Sequence, residues 1–526
     1  MGHLLPPQRH APSRPPQGER NTDNEGGSGG SSTDISEIQN TTRTTPEITD
    51  HISQWPAPVE FPFPMIHMEP CGIFDNSYTS SPFSSLPALD HLQELVHVPM
   101  ESELFITPMM HNDLDQLYFD RAYAFAPIVH THRYRSWSKQ PNKSKQKTCL
   151  QYAMWTLASS LSSQFQVDGR KLYAKTRQLL HALDSEEPCH QIPLEQAQAW
   201  TLLAIYELTC QDFHRGMLSA GRAFRLIQMM RLYELDVPQT PATMQLDQYP
   251  GQLTLQGSVQ DDWIDIETKR RTFWLAYTID RFTSMVDGLH MFFDERLIRT
   301  RLPAPEANFA SSRPTDMSFL ADMIPVVGLE LPHKNLSPFT ESVIGAAICG
   351  RVLEHKQKPP TRACQEFCRR HRSLHALLAQ RIRMLRVYAS MEYPDPIIAF
   401  VALAAHIAVL MLYDLIKSRP LGTDTQGTQL TQALYSEHKQ QSLDAVGDTA
   451  VLIAVLGQHF QMHPLTPILL LLGARFSQSY PELDDAYIKL MPSIVTMLQA
   501  STGLNKLAKN FLQFLKPQDD NWYGFT

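Results

Sequence analysis

A set of two cysteines and two histidines, the residue types that bind zinc, falls on one face of a predicted helix at Cys364, Cys368, His371 and His375. The spacing argues against a shared metal ion, because eleven residues of helix at ~1.5 Å each span on the order of 16 Å. A zinc ion needs all of its donors within about 2.0–2.3 Å. One straight helix offers two adjacent ligands, so this set predicts no metal site.

Motifs of the common enzyme classes do not occur in the 526 residues. We find no nucleophile elbow between a strand and a helix, no Walker phosphate loop and no Gly-x-Gly-x-x-Gly stretch. Histidines near other polar residues occur at His111, beside Asp113 and Asp115, and at His130, beside His132. The sequence places no partner group next to them. We therefore expect core or surface histidines and no catalytic residue.

The densest set of charged and aromatic residues runs from residue 261 to residue 303. Acidic residues open it, and carboxylates at a helix start accept hydrogen bonds from free N–H groups and oppose the helix dipole. Gly288 then offers a stop. Between these ends the apolar residues cover most of the helix surface, which predicts a buried helix. Its charges must be paired, because an unpaired buried charge costs several kcal/mol.

Ten residues of this stretch follow the pattern Glu-x-x-Arg-Arg-x-Phe-Trp-x-x-Tyr-x-x-Asp-Arg, with Leu-Pro after a polar loop. The pattern resembles the middle homology region of fungal-specific transcription factors, which usually bind DNA through a six-cysteine binuclear zinc cluster. The signature residues are Glu267, Arg270, Arg271, Phe273, Trp274, Tyr277, Asp280, Arg281, Leu302 and Pro303. The resemblance implies an all-helical regulatory domain. We expect the signature to be an architectural ion-pair network and not a ligand site.

Upstream segments resemble the same family, so the resemblance is strong from residue 118 to residue 303. Residues 118–130 resemble the entry helix of the family and the turn after it. Residues 195–208 and 216–232 both have helical periodicity. The short polar link between them predicts an αα-hairpin.

Composition divides the chain into a tail, one large domain and a short end. Residues 1–105 are rich in proline, glycine and serine and are predicted to be a disordered tail or linker. Residues 106–516 are predicted to form the all-helical regulatory domain, for which an apolar fraction of 43% is ample. Asn112 or Asp113 is the expected cap near its first helix, and residues 517–526 are predicted to be a C-terminal tail.

Zinc-cluster spacing does not occur among the seven cysteines, since the first is Cys71 and no Cys-x-x-Cys pair exists in the sequence. We therefore expect no cofactor in this chain. Promoter DNA would be contacted only indirectly or weakly, through a DNA-bound transcription factor or a homodimer partner, unless the chain is a shortened form of a longer protein. The net charge of −8 argues in the same direction. The basic stretch 133–147 is predicted to be a solvated loop, with phosphate contact as the alternative.

The second half of the chain is helical by periodicity. Residues 362–388 place leucines on one side and many arginines on the other, which predicts a solvated face. Residues 397–415 are almost entirely apolar, and we favour a buried core helix over a membrane span because they barely reach the roughly 20 residues a bilayer requires. Pro464 and Pro467 predict a break between two packed helices.

The sequence thus predicts a nuclear transcriptional regulator, and the resemblance implies a fungal metabolic or secondary-metabolite gene cluster as its target. A small-molecule effector bound between helices is part of this hypothesis. The alternative is a non-transcriptional adaptor or accessory protein built on the same helical domain. An exclusively cytoplasmic location would favour this alternative. An enzyme with a pocket in the helical bundle is a third hypothesis.

Overall fold

The computed structural model describes residues 106–185, 192–237, 262–286, 288–324, 336–358, 364–389, 395–418, 425–457, 462–480 and 485–515. These ranges contain sixteen α-helices and, among them, no β-strand beyond an isolated bridge between Arg301 and Phe319. The predicted all-α fold class is confirmed. Both predicted tails, 1–105 and 517–526, lie outside the described residues, and the domain boundaries stay predictions.

Seven helices precede the polar loop of the signature. They are α1 (Pro108–Leu117), α2 (Thr131–Trp137), α3 (Lys145–Ser159), α4 (Gln166–Ser185), α5 (Leu194–Tyr206), α6 (Phe213–Met229) and α7 (Trp263–Ser284). Two of these helices continue directly into a π-helical turn: α1 into Tyr118–Ala122 and α5 into Glu207–Gln211.

The first helix begins earlier than the sequence predicted. Thr107 caps α1, because its hydroxyl oxygen accepts a hydrogen bond from the N–H of Met110 at 3.2 Å. Pro108 occupies the first helical position, where its missing N–H costs nothing. The prediction of a cap at Asn112 or Asp113 is therefore wrong, since both residues lie inside the helix.

The predicted hairpin is present as α5 and α6, which pack against each other along their lengths. Gly216 sets how closely they approach. A Cβ atom at this position would lie 2.5 Å from the backbone nitrogen of Leu208, so only glycine is accommodated there. The helix α3 packs across both α4 and α5, which buries an apolar layer of the N-terminal half.

The central element is α7, which packs against α5, α6 and α10 (Pro338–Gln357). Asp262 caps it by accepting a hydrogen bond from the N–H of Asp265 at 3.0 Å, as the acidic residues predicted. Beyond its end, Gly288 has φ +64°, a left-handed conformation that glycine adopts without strain. The helix is buried on nearly every side from Arg270 onwards, so its charged side chains lie in the core.

Nine helices follow α7. They are α8 (Glu306–Ala310), α9 (Leu320–Met323), α10, α11 (Cys364–Ala389), α12 (Pro396–Ser418), α13 (Thr425–Gly457), α14 (Thr466–Ser479), α15 (Asp485–Ser501) and α16 (Lys506–Phe514). The predicted break at Pro464 and Pro467 is present between α13 and α14. Pro467 lies in the first turn of α14, where the helix tolerates it.

The most apolar helix, α12, lies at the centre of the second half and packs against α10, α11, α13 and α14. Its residues 396–417 are long and apolar enough to cross a membrane, and within the described residues no other helix passes that test. The protein buries 94% of the most apolar window of α12. Burial among these four helices explains its composition, in agreement with the core helix that we favoured.

Candidate functional site

The charged signature residues of α7 are buried. Glu267 and Arg271 have no exposed surface, and Arg270, Asp280 and Arg281 are also in the core. A helix can carry so many charges in its interior only if each one has partners. The contacts of these five residues show how the sequence meets that requirement.

Glu267 and Arg271 form the inner part of the network, one helical turn apart. The Nε of Arg271 donates to Glu267 Oε1 at 3.0 Å, and its Nη2 donates to the carbonyl oxygen of Ala304 at 2.5 Å. Its Nη1 donates to the carbonyl oxygen of Pro127 at 3.2 Å and contacts Glu306 Oε1 at 3.3 Å. Glu267 in turn accepts the N–H of Ala304 at 2.8 Å. The pair therefore joins α7 to two distant backbone segments.

Arg270 extends the network towards the end of the first half. Its guanidinium binds both carboxylate oxygens of Asp236, with Nε at 3.1 Å from Oδ2. Asp236 also accepts the backbone N–H of Arg301 at 2.8 Å. The carbonyl oxygen of Arg301 accepts a hydrogen bond from Trp274 Nε1 at 2.7 Å. The backbone N–H of Arg301 is thus bonded to Asp236, the partner of Arg270, and its carbonyl oxygen is bonded to Trp274 of α7.

Asp280 and Arg281 hold the turn that follows α7. Asp280 pairs with Arg281 and accepts the N–H groups of Phe292 at 2.8 Å and Phe293 at 3.1 Å. The Nη2 of Arg281 donates to the carbonyl oxygen of Phe293 at 2.5 Å. The guanidinium of Arg281 also lies 4.2 Å from the centre of the Tyr277 ring, a cation–π contact.

The electrostatics of the network follow from its burial. Desolvation raises the pKa of Glu267, and the neighbouring Arg271, the N–H of Ala304 and Arg270 oppose that shift. Desolvation likewise raises the pKa of Asp280, against Arg281 and two backbone N–H groups. The network fixes the segment between residues 290 and 306 against the central helix. Its groups are bonded to each other and to backbone, an arrangement suited to holding structure and not to turning over a substrate.

Comparison with known proteins gives one family match and several relatives. A model described as "Fungal specific transcription factor domain" matches residues 116–353. The "Pigment biosynthesis transcriptional activator pigB" of Monascus ruber is 38% identical over 418 residues, which cover 78% of this chain and 72% of the relative. The "Citrinin biosynthesis transcriptional activator ctnR" of Monascus purpureus is 33% identical over 425 residues, 78% of this chain and 69% of the relative.

The chain belongs to the fungal-specific transcription factor family. A further relative, the "Asperfuranone cluster transcription factor afoA" of Emericella nidulans, is 31% identical over 461 residues, 80% of this chain and 68% of the relative. The family match begins in α1 and ends in α10, so all ten signature residues lie within it. The resemblance that these residues carry is confirmed by the match.

The remaining signature residues close the connection after α7 in this fungal-specific transcription factor. Leu302 is buried, and the carbonyl oxygen of Pro303 accepts a hydrogen bond from Thr340 Oγ1 of α10 at 3.2 Å. Phe273 packs edge to face on Trp274, with ring centres 4.8 Å apart. The Leu-Pro pair thus passes between α7 and α10 and links the two helices.

The histidines that the sequence offered as possible catalytic groups have structural contacts. His111 lies 3.4 Å from Asp115, and the carboxylate of Asp115 accepts a hydrogen bond from Trp155 Nε1 at 2.7 Å. His130 caps α2 and contacts the carbonyl oxygen of Phe309 at 3.0 Å. The basic stretch begins with α2, and its Arg133 pairs with Asp262 and Asp265 at the start of α7.

Three of the four candidate zinc ligands of α11, Cys368, His371 and His375, have side chains that the structure describes. No group of three or more histidine, cysteine or acidic side chains in the described ranges is arranged to hold a metal ion. His371 and His375 face two histidines of other helices, whereas Cys368 is buried with Ile416 and Leu434.

Sequence reasoning missed several buried charges. Asp236 lies 34 residues before its partner Arg270, with nothing in the local pattern to mark it. Glu207, in the π-helical turn after α5, is fully buried and accepts hydrogen bonds from Ser219 at 2.5 Å and Tyr173 at 2.8 Å. The arginines of α11 were predicted to form a solvated face, and this is wrong for Arg381. That residue is 2% exposed and pairs with Glu341 of α10.

Proposed function

We propose that this chain regulates transcription of a fungal secondary-metabolite gene cluster and that its helical domain is the regulatory part of that activity. The observation that carries the proposal is the family match, which contains the complete buried network of α7. The relatives described above support the target class, since their names assign them to pigment, citrinin and asperfuranone biosynthesis.

The chain acts on promoters through a DNA-bound transcription factor, which it binds either alone or as a homodimer. The 526 residues contain no Cys-x-x-Cys pair, so they do not supply the zinc ligands of the family's DNA-binding module. The site of action is the nucleus. The helical domain would provide the surface that the partner and the transcription machinery contact.

A tethering experiment tests the proposal. The 526-residue chain is fused to a heterologous DNA-binding domain and expressed in a fungal host with a reporter gene under the matching operator. We expect reporter expression to change by several-fold relative to the DNA-binding domain alone. The fusion Arg271→Met serves as the matched control, because it leaves a buried carboxylate without its main partner and should abolish the effect.

Protein abundance is measured by immunoblot in the same strains, so that loss of folding is separated from loss of activity. A wild-type fusion that is abundant and nuclear but leaves the reporter unchanged would overturn the proposal. An exclusively cytoplasmic location of the untethered chain would favour the adaptor hypothesis instead.

A further inference from the structure

A cavity of about 710 Å³ lies beside the network, between the turn after α7 and the last turns of α10. Its walls come from residues 290–299, from α10 between Gly350 and Lys358, and from Arg370 and Leu374 of α11. This volume lies in the range of roughly 300–1,000 Å³ that is typical of small-molecule sites. None of the family comparisons assigns a ligand to it.

Positive charge dominates the wall. Six cationic side chains line the cavity, against three carboxylates: Arg281, Arg296, Arg299, Arg351, Lys358 and Arg370, with Asp294, Glu295 and Glu354. Each carboxylate is already matched by a cation of the same wall, at 2.7 Å for Asp294 and Glu295 and at 2.5 Å for Glu354. Of the other three cations, Arg281 pairs with Asp280 and Arg370 with Glu366, both outside the wall, which leaves Arg299.

Arg299 differs in this respect from the other five cations of the wall. Its Nη1 donates to the backbone carbonyl oxygens of Arg296 and Ile298, both at 2.9 Å, and within the described residues no carboxylate pairs with it. It is exposed and lines the cavity. A guanidinium in this position can bind an incoming anion without first breaking an internal ion pair.

Arg281 supplies a second, buried donor to the wall. Its side chain is only 2% exposed, and its Nε has no hydrogen-bond partner among the described residues. Gly350 makes room for it, since a Cβ atom at that position would lie 2.6 Å from Arg281 Cδ and 2.8 Å from Nε. The glycine thus lets a signature arginine reach a cavity wall.

Apolar side chains cover the rest of the wall. They include Met291, Phe293, Ile298, Leu320 and Leu374. An apolar wall with a few cationic groups suits a molecule that has an apolar body and an acidic end. A polyanion such as a nucleotide is disfavoured, because only Arg299 among the six cations has no carboxylate partner within the described residues, and additional negative charges would find no free cation.

We propose that this cavity binds a small organic acid with one carboxylate and an apolar body. The carboxylate would pair with Arg299, and the body would lie against the apolar wall. Such a ligand would contact residues of both α7 and α10, and so it would bridge the two helices that the signature joins. The inference concerns binding alone and stands apart from the proposed role in transcription.

Calorimetric titration of the purified 526-residue chain tests the proposal. The probes are benzoate, 1-naphthoate and decanoate, with 1-naphthalenemethanol as the uncharged analogue and inorganic phosphate as an anion without an apolar body. We expect at least one of the three acids to bind with a Kd below about 1 mM at one site per chain. The alcohol should bind at least about tenfold more weakly than 1-naphthoate, and phosphate should give no binding signal.

The variant Arg299→Gln should weaken binding of the acid by about tenfold and leave the binding of the alcohol unchanged. Arg313→Gln, at an exposed arginine outside the cavity, is the matched control and should bind as wild type does. Thermal melting of each variant is measured first to show that it is folded. Equal affinity for acid and alcohol, unchanged binding in Arg299→Gln, or no binding of any acid would each overturn the proposal.

Discussion

Two buried polar regions of this protein are built in opposite ways. On α7, each buried charge of the signature meets a group of opposite charge or a backbone dipole. Between α10, α11 and α13, four buried histidines meet mainly one another: His355, His371, His375 and His438. Each of the four is at most 5% exposed.

The histidine cluster is packed like an apolar core. The rings of His375 and His438 are stacked with their centres 3.7 Å apart, and His371 lies 5.3 Å from His438 and 5.5 Å from His355. Both ring nitrogens of His371 and Nε2 of His438 lack hydrogen-bond partners within the part of the chain that the structure describes. Such exceptions are rare among buried polar groups.

The difference decides how each region responds to protons. Arginines beside the α7 carboxylates favour their charged form and offset part of the cost of burial. In the cluster, burial and the neighbouring histidines act in the same direction. Together they lower the pKa of His371 to about 2, and burial followed by His438 lowers that of His375 to about 3. His371 and His375 are therefore held neutral at every physiological pH.

The largest expected effect comes from breaking the α7 network at its centre. Arg271→Met removes the main partner of Glu267 and leaves that carboxylate buried. We expect the free energy of unfolding to fall by about 3–5 kcal/mol, as for other buried pairs with one partner removed. Urea unfolding of the purified chain measures the change.

The double variant Glu267→Gln/Arg271→Met is the informative control, because it removes both charges. It should be more stable than Arg271→Met alone, since replacing a whole buried pair by groups of similar volume costs little. Arg313→Met, at an exposed position, should stay within about 0.5 kcal/mol of wild type. A cost below 1 kcal/mol for Arg271→Met would mean that the ion-pair network is not what holds α7 in place.

The next effect is a loss of stability in acid that comes from the histidine cluster. The folded pKa values of His371 and His375 lie below the unfolded value of about 6.5, so only the unfolded chain binds these protons between pH 6.5 and about 3. Stability is complete above pH 6.5 and falls as the pH drops below it. At pH 5.5 each of the two histidines should cost about 1.4 kcal/mol, or about 2.8 kcal/mol together.

The groups that face these two histidines are His355 from α10, Arg372 of α11, and Glu437 and His438 from α13. Thermal melting of wild type and of His371→Phe/His375→Leu between pH 7.5 and pH 5.5 tests the effect. The double variant should lose less stability over that range than wild type. His181→Leu, at an exposed histidine, should keep the wild-type slope. Equal slopes for the double variant and wild type would show that the cluster does not control the acid response.

The contrast also explains which features the sequence could predict. The bounds of α7, its Asp262 cap and the hairpin of α5 and α6 follow from patterns inside single segments. Ion-pair partners that lie in different segments of the chain do not follow from such patterns. Asp236 meets Arg270 and Glu341 meets Arg381 only because the helices pack in a particular way.

The histidine cluster was hidden for the same reason. Its members come from three helices, and the sequence shows only the spacing of His371 and His375 on one of them. The spacing of Cys364, Cys368, His371 and His375 predicted no metal site on one helix, and this stays a prediction. It gave no hint that the partners are His355 and His438, because helical periodicity says which face of a helix is buried and not what lies opposite.

The smallest effect separates a satisfied buried donor from an unsatisfied one. Trp274 donates its Nε1–H to the carbonyl oxygen of Arg301 at 2.7 Å, whereas Nε1 of the equally buried Trp200 has no partner among the described residues. Both Trp→Phe changes remove the same ring volume. Trp274→Phe should therefore cost about 1 kcal/mol more than Trp200→Phe in urea unfolding, because it alone leaves a carbonyl oxygen without its donor. Equal costs would show that neutral hydrogen bonds contribute nothing measurable to the α7 network, and that its stability comes from the ion pairs and packing alone.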